Sequence, residues 1–250
     1  MARKKFAETG GYFHVFDVDG PLYEGHSGPE FEAYLAEKGL FDKTVSDKKQ
    51  KNLRLVNEKK MTYAQEAGQG VLLTGEGLKG QNTLRIAEEA ENFVRLHKDQ
   101  YNVQALGTLR QLNSRGMGVA LVSLAPRVLI SALGKVNGVK IDYLYGADYA
   151  SKGNRYTGET ITKDIIEFKR DAILKIAKMF GIPKSKMVFY GDSVTDYTSA
   201  RMARVRFVPM NPSESLKEEW ESFNRTRKSL AIPAKSRAKK AAARTKKRVK

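Results

Sequence analysis

From Tyr101 onward the chain alternates short β-branched or apolar runs with segments of helical period, and this restricts the fold more than any other feature. Strands are expected at 118–123, 141–145, 187–190 and 205–208, and helices at 103–115, 127–136, 165–180, 194–203 and 214–225. Such alternation implies a parallel sheet with helices on both faces, because each parallel strand must be reached by a crossover. One more strand precedes this region, at 12–18, and Asp-Gly-Pro ends it. Between that strand and Tyr101 the pattern is mostly helical, clearest at 29–38 and 82–97. At about 75 residues it is too long for a crossover and reads as an inserted domain.

The expected class is therefore α/β, a Rossmann-like parallel sheet flanked by helices. Residues 1–24 and 101–224 would form this core and residues 25–100 the helical insertion. The chain has 250 residues, 41% hydrophobic and 29% charged, and no cysteine. Disulfides, cysteine-ligated metals and thiol catalysis are excluded, and a reducing, cytoplasmic setting is expected. No apolar run approaches the ~20 residues of a membrane span, and no apolar segment follows the basic residues 3–5.

The net charge of +17 is mostly local. Of 45 Lys+Arg, 12 fall between Arg225 and Lys250, a stretch without acids, which leaves 33 basic against 28 acidic residues before it. Residues 225–250 are expected to be disordered alone. They read either as a tether for nucleic acid or another polyanion or as a solubilising tail.

Two acidic pairs carry the chemistry. Asp17 and Asp19 end the first strand, where residues two apart project to one side. Gly191-Asp192 ends a later strand, with Asp196 four residues on. Ligands of open α/β sheets bind at the carboxyl ends of strands, and clustered carboxylates require a cation or a shared proton. Helix capping accounts for one acid of the second pair but not both. Random placement of 11 Asp and 21 Gly gives D-x-D-G about 0.04 times in a chain of this length.

Asp17-Val-Asp19-Gly20 resembles the first motif of the haloacid dehalogenase superfamily. Val119-Ala-Leu-Val-Ser123, Lys169, and Gly191-Asp192 with Asp196 are similar to its second, third and fourth motifs. The phrases Asp142-Tyr-Leu-Tyr-Gly-Ala, Asn154-Arg-Tyr-Thr-Gly-Glu and Lys169-Arg-Asp-Ala-Ile resemble the phosphoserine phosphatase-like subfamily, whose helical cap is inserted just after the first motif. The resemblance implies a Mg2+-dependent phosphatase acting on a small phosphomonoester. Asp17 would be the nucleophile that forms an aspartyl-phosphate, and Asp19 the acid and then the base. Ser123 and Lys169 would bind the phosphoryl group. Mg2+ would be held by Asp17, Asp19 through its carbonyl, and Asp192, with Asp196 orienting its waters. Independently of the resemblance, Lys169 falls within the apolar stripe of its helix, so it needs an anionic partner.

Two departures from that pattern matter. Pro21 follows Gly20 where a hydroxyl residue is usual, and His26 and Gly68 stand where phosphoserine phosphatases hold the amino acid with a Glu and an Arg. The first bears on a hydroxyl contact near the site and leaves the two acids untouched; the second points away from phosphoserine as substrate, whereas His26, so near Asp19 in sequence, is a candidate substrate contact. A phosphotransferase is the rival within the fold. From another class, the rival is a nucleic-acid-binding protein that uses the basic tail beside a vestigial or accessory phosphatase-like domain. Gly75-Glu-Gly77-Leu-Lys-Gly80 has dinucleotide-motif spacing but lacks the second strand and acid that the motif demands, and is read as a cap loop.

Overall fold

The computed structural model describes residues 11–162 and 167–220. Five strands form a parallel sheet in the order β3-β2-β1-β6-β7: β1 (Phe13–Phe16), β2 (Gly118–Pro126), β3 (Tyr143–Ala147), β6 (Met187–Gly191) and β7 (Arg206–Pro209). The antiparallel hairpin of β4 (Tyr149–Lys152) and β5 (Arg155–Thr160) stands outside it. Four helices lie between β1 and β2 in the chain before the core resumes: α1 (Ser27–Glu37), α2 (Lys43–Asn57), α3 (Tyr63–Leu78) and α4 (Thr83–Leu96). The core then adds α5 (Val103–Ser114), α6 (Arg127–Val136), α7 (Phe168–Phe180) and α8 (Val194–Ala203).

Alternation along the central strands assigns their side chains to two apolar layers. Phe13, Val15, Ala120 and Val122 pack with Phe168, Ala172, Ile173, Ile176 and Phe180 of α7 and Ala200 of α8. Phe16, Val119 and Leu121 belong to the other layer, with Leu109 of α5, Leu129 and Leu133 of α6, Phe93 of α4 and Phe31 of α1. Each fully buried Phe or Leu contributes about 1.5–3 kcal/mol, and the insertion shares the second layer, so α1 and α4 are fixed to the sheet.

Capping sets several helix starts. Asp42 accepts from the amides of Thr44 and Val45, Asn82 from those of Leu84 and Arg85, and Thr62 with Gln65 forms a capping box. The expected helix at 165–180 begins at Phe168, and Ile165 lies outside the described residues. Residues 213–220 form a separate unit, helical from 214. Residues 221–225 of the expected last helix, and the basic stretch 225–250 with its tether reading, also lie outside the described residues. No helix among the described residues is long and apolar enough to cross a membrane.

Two findings depart from expectation. Of the glycines in 75–80, Gly80 lies in the connection to α4, but Gly75 and Gly77 are not in a loop: they lie in the last turns of α3. A Cβ on Gly77 would come within 2.1 Å of the Phe41 ring, and one on Gly75 within 2.7 Å of the Gly158 carbonyl oxygen. Their bare surface lets α3 approach Phe41 and the hairpin, which outweighs glycine's helix penalty of about 1 kcal/mol each. The hairpin itself has no strong period-2 pattern. Tertiary bonds to the α3–α4 connection hold it: Gly80 N donates to Tyr156 O at 2.9 Å, Tyr156 N to Gln81 O at 3.0 Å and Thr83 N to Asn154 O at 2.9 Å.

Candidate active site

Strand register gathers the acids. Phe16 pairs with Leu121 of β2 and Tyr190 of β6, so Asp17 and Asp192 leave the carboxyl ends of neighbouring strands, and Ser123 lies two residues past Leu121 within β2. The amide of Asp17 donates to Tyr190 O at 2.9 Å and extends that pairing by one residue. The chain then turns back on itself: Leu22 N and Tyr23 N both donate to Val18 O at 2.9 Å, and Gly20 N donates to Tyr23 O at 2.8 Å. Pro21 lies inside this turn, where its missing N–H leaves no partner wanting.

Gly20 is at φ +93°, and a Cβ there would fall 2.3 Å from Cγ of Asp192. The glycine of the first acidic pair therefore makes room for the carboxylate of the second. Carboxylate oxygens of Asp17, Asp192 and Asp196 lie within 4.8 Å of one another. The Lys169 ammonium donates to Asp17 Oδ2 at 2.8 Å and to Asp196 Oδ1 at 2.6 Å, the anionic partners its place on α7 requires.

Asp196 is fully buried, and Asp17 is 4% exposed. Besides meeting Lys169, Asp196 accepts at Oδ2 from Asp192 N, Ser193 N and Ser193 Oγ, and with Ser193 it forms the capping box of α8. Although burial alone would raise its pKa, Lys169 and these hydrogen bonds hold it below the ordinary carboxylate value. Burial pushes Asp17 well up, against the pull of Lys169. Asp192 rises to about 7, through burial and then the Asp196 carboxylate. Among the described residues the cation that meets these acids is Lys169, and clustered carboxylate oxygens of this kind are the ligands a hard divalent cation takes.

Asp19 goes elsewhere. β1 ends at Phe16, so the extended-strand geometry that would turn Asp19 to the side of Asp17 does not continue this far. Its Oδ1 accepts from Ser27 N at 3.1 Å at the start of α1, and burial raises its pKa against the Ser27 hydrogen bonds. Its carboxylate stands outside the three-acid cluster and lines a cavity with His26, which precedes α1, and with Glu32, Lys49 and Glu66 of the inserted helices. Ser123 is 2% exposed, and its Oγ accepts from Ala125 N at 3.0 Å, which leaves the hydroxyl proton to donate.

The cavity residues from α1 to α3 were missed in the sequence. The signal was present in part: Glu32 shares the buried face of α1 with Phe31 and Leu35, the same polar-within-apolar sign that singled out Lys169.

A family model of haloacid dehalogenase-like hydrolases matches residues 14–201, a span that holds every residue of this site. The chain belongs to that family. Among solved structures, this hydrolase is similar to a protein of unknown function from Bordetella pertussis Tohama I, with a TM-score of 0.69 and 22% identity over 86% of this chain and 96% of that one. It is also similar to a substrate-bound phosphoserine phosphatase, with a TM-score of 0.58 and 22% identity over 83% and 90% of the two chains. Cytosolic 5′-nucleotidase IIIB bound to cytidine matches with a TM-score of 0.61 and 12% identity over 83% and 75%. At these identities the likeness is one of fold. No curated protein matches the sequence.

Proposed function

We propose that this hydrolase is a Mg2+-dependent phosphatase of small phosphomonoesters that works through an aspartyl-phosphate on Asp17. The observation that carries the reading is the Lys169 ammonium bridging Asp17 and Asp196 inside a three-carboxylate cluster at the carboxyl edge of the sheet.

Lys169 holds Oδ2 of Asp17 and leaves Oδ1 as the attacking atom. The Asp17 oxygen forms a bond to phosphorus as the bond to the leaving oxygen breaks. Asp19 gives that oxygen its proton, a role its raised pKa suits. The resulting Asp19 carboxylate then takes a proton from a water whose oxygen attacks phosphorus, which frees Asp17 and inorganic phosphate. Ser123 Oγ and Lys169 donate to the phosphoryl oxygens and stabilise charge there. Asp17 and Asp192, with the Asp19 carbonyl, would hold Mg2+, which when bound would supply positive charge to these carboxylates. Asp196, committed to Lys169 and the 192–193 backbone, positions those groups. The inserted helices act as the cap that selects the substrate.

The test is phosphate release from a broad panel of phosphomonoesters with Mg2+ or EDTA, comparing wild type with Asp17→Asn. The expected result is turnover that requires Mg2+ and falls at least ~1,000-fold in the variant. Turnover that persists in folded Asp17→Asn would overturn the nucleophile assignment, and no turnover of any ester by folded wild type would overturn the phosphatase reading.

A further inference from the structure

The cavity beside Asp19 contains charge that the chemistry above does not use. Lys49, on α2, is 5% exposed, and its ammonium is already committed: it meets Glu32 Oε1 at 2.6 Å, Glu32 Oε2 at 2.5 Å and Thr74 Oγ1 at 2.6 Å. Thr74 Oγ1 in turn reaches Glu32 Oε1 at 2.6 Å and Gly70 O at 2.8 Å. This triad ties α1, α2 and α3 together and is electrically neutral.

Glu66, one α-helical turn before Gly70 on α3, is different. It is 6% exposed and lines the same cavity as Asp19, yet among the described residues no hydrogen bond or ion pair reaches its carboxylate. A Cβ on Gly70 would stand 3.0 Å from Glu66 Oε1, so the absence of a side chain at 70 keeps that oxygen uncrowded. A buried acid without a hydrogen-bond partner is costly, and burial raises its pKa against the pull of the Lys49 charge, which Glu32 offsets. A cation arriving with the ligand would relieve both.

We propose that Glu66 is a specificity residue that binds an ammonium group on the leaving alcohol, so that the substrates are phosphate monoesters of small amino alcohols lacking a carboxylate. The inference rests on the phosphatase reading. With phosphorus at Asp17 and the leaving oxygen at Asp19, the alcohol portion extends into the cavity that Glu66 lines. At about 60 Å³ the cavity takes only a few non-hydrogen atoms. A carboxylate would meet Asp19 and Glu66 there, and Lys49 is spent on Glu32, so a zwitterionic amino-acid ester is disfavoured.

The experiment compares O-phosphoethanolamine, ethyl phosphate and O-phosphoserine as substrates of the full-length protein with Mg2+. Wild type should prefer O-phosphoethanolamine over ethyl phosphate by about 10- to 100-fold in kcat/KM, the range of one charge-assisted contact. O-phosphoserine should be the poorer amine. Glu66→Gln should erase the preference through the ethanolamine ester alone and leave ethyl phosphate within about twofold. Equal turnover of the first two esters, or O-phosphoserine as the best of the three, would overturn the proposal while leaving the phosphatase reading intact. Calorimetric binding of the same esters to Asp17→Asn reads the preference even where none is hydrolysed. Tighter ethanolamine-ester binding that Glu66→Gln abolishes would support the ammonium site, and equal binding would overturn it.

Discussion

Replacing Gly20 by alanine probes the turn that joins the two acidic strand ends. At φ +93° an L-residue bears a backbone cost of about 1–2 kcal/mol. Its Cβ would also lie 2.3 Å from Cγ and 2.4 Å from Oδ2 of Asp192. Relieving that overlap requires the carboxylate or the turn to move, at about 1–3 kcal/mol more. Gly39 supplies the control, since it sits at φ +68° with nothing within 4 Å of an added Cβ, and so carries the backbone cost alone. Urea unfolding should therefore show losses of about 2–5 kcal/mol for Gly20→Ala and about 1–2 kcal/mol for Gly39→Ala. In phosphate-release assays Gly20→Ala should also raise the Mg2+ concentration for half-maximal activity about tenfold or more, the equivalent of ~1.4 kcal/mol. Gly39→Ala should leave it unchanged. Equal stability losses and an unaltered Mg2+ requirement would show that Gly20 does not serve to admit Asp192.

Two further outcomes follow from buried charge. Lys49→Met strands the Glu32 carboxylate, whose side chain is 3% exposed, and should cost about 3–5 kcal/mol in urea unfolding. Glu32→Gln combined with Lys49→Met should recover part of that loss, and a double variant no more stable than Lys49→Met would count against the pairing. Burial, aided by Arg206, lowers the pKa of His14 from 6.5 to about 4. The unfolded chain then binds more protons than the native one between those values. Stability from the neutral imidazole is thus complete above pH 6.5 and lost as pH falls toward 4, at most about 3 kcal/mol. His14→Gln, which keeps a polar group near Tyr190 OH, should flatten the stability curve across that window, and an unchanged slope would place the titration elsewhere.

Much of the core could be read from the sequence because each element declares its own period. The helices Arg127–Val136 and Val194–Ala203 have the bounds their periodicity predicts, and the five parallel strands follow from short apolar runs between helices. Asp17 and Gly191-Asp192 were legible because chain turns at strand ends are local events. The hairpin of β4 and β5 was not, since its partners are the backbone groups of residues 80–83 rather than a pattern of its own. Gly75 and Gly77 misled for the same reason: glycine there answers to the Phe41 ring and the Gly158 carbonyl, which no local period reports.

The sequence by itself determined which atoms leave the carboxyl edge of the sheet, because strand polarity and residue spacing are covalent facts. Only the tertiary structure decided how their charges are balanced. Lys169 reaches Asp17 across 152 positions of chain, Asp19 turns from the cluster toward Ser27 and the inserted helices, and Glu32 takes up Lys49 while Glu66 keeps an open carboxylate. Coulomb energy and desolvation depend on separation and burial in space. Neither quantity is a function of distance along the chain.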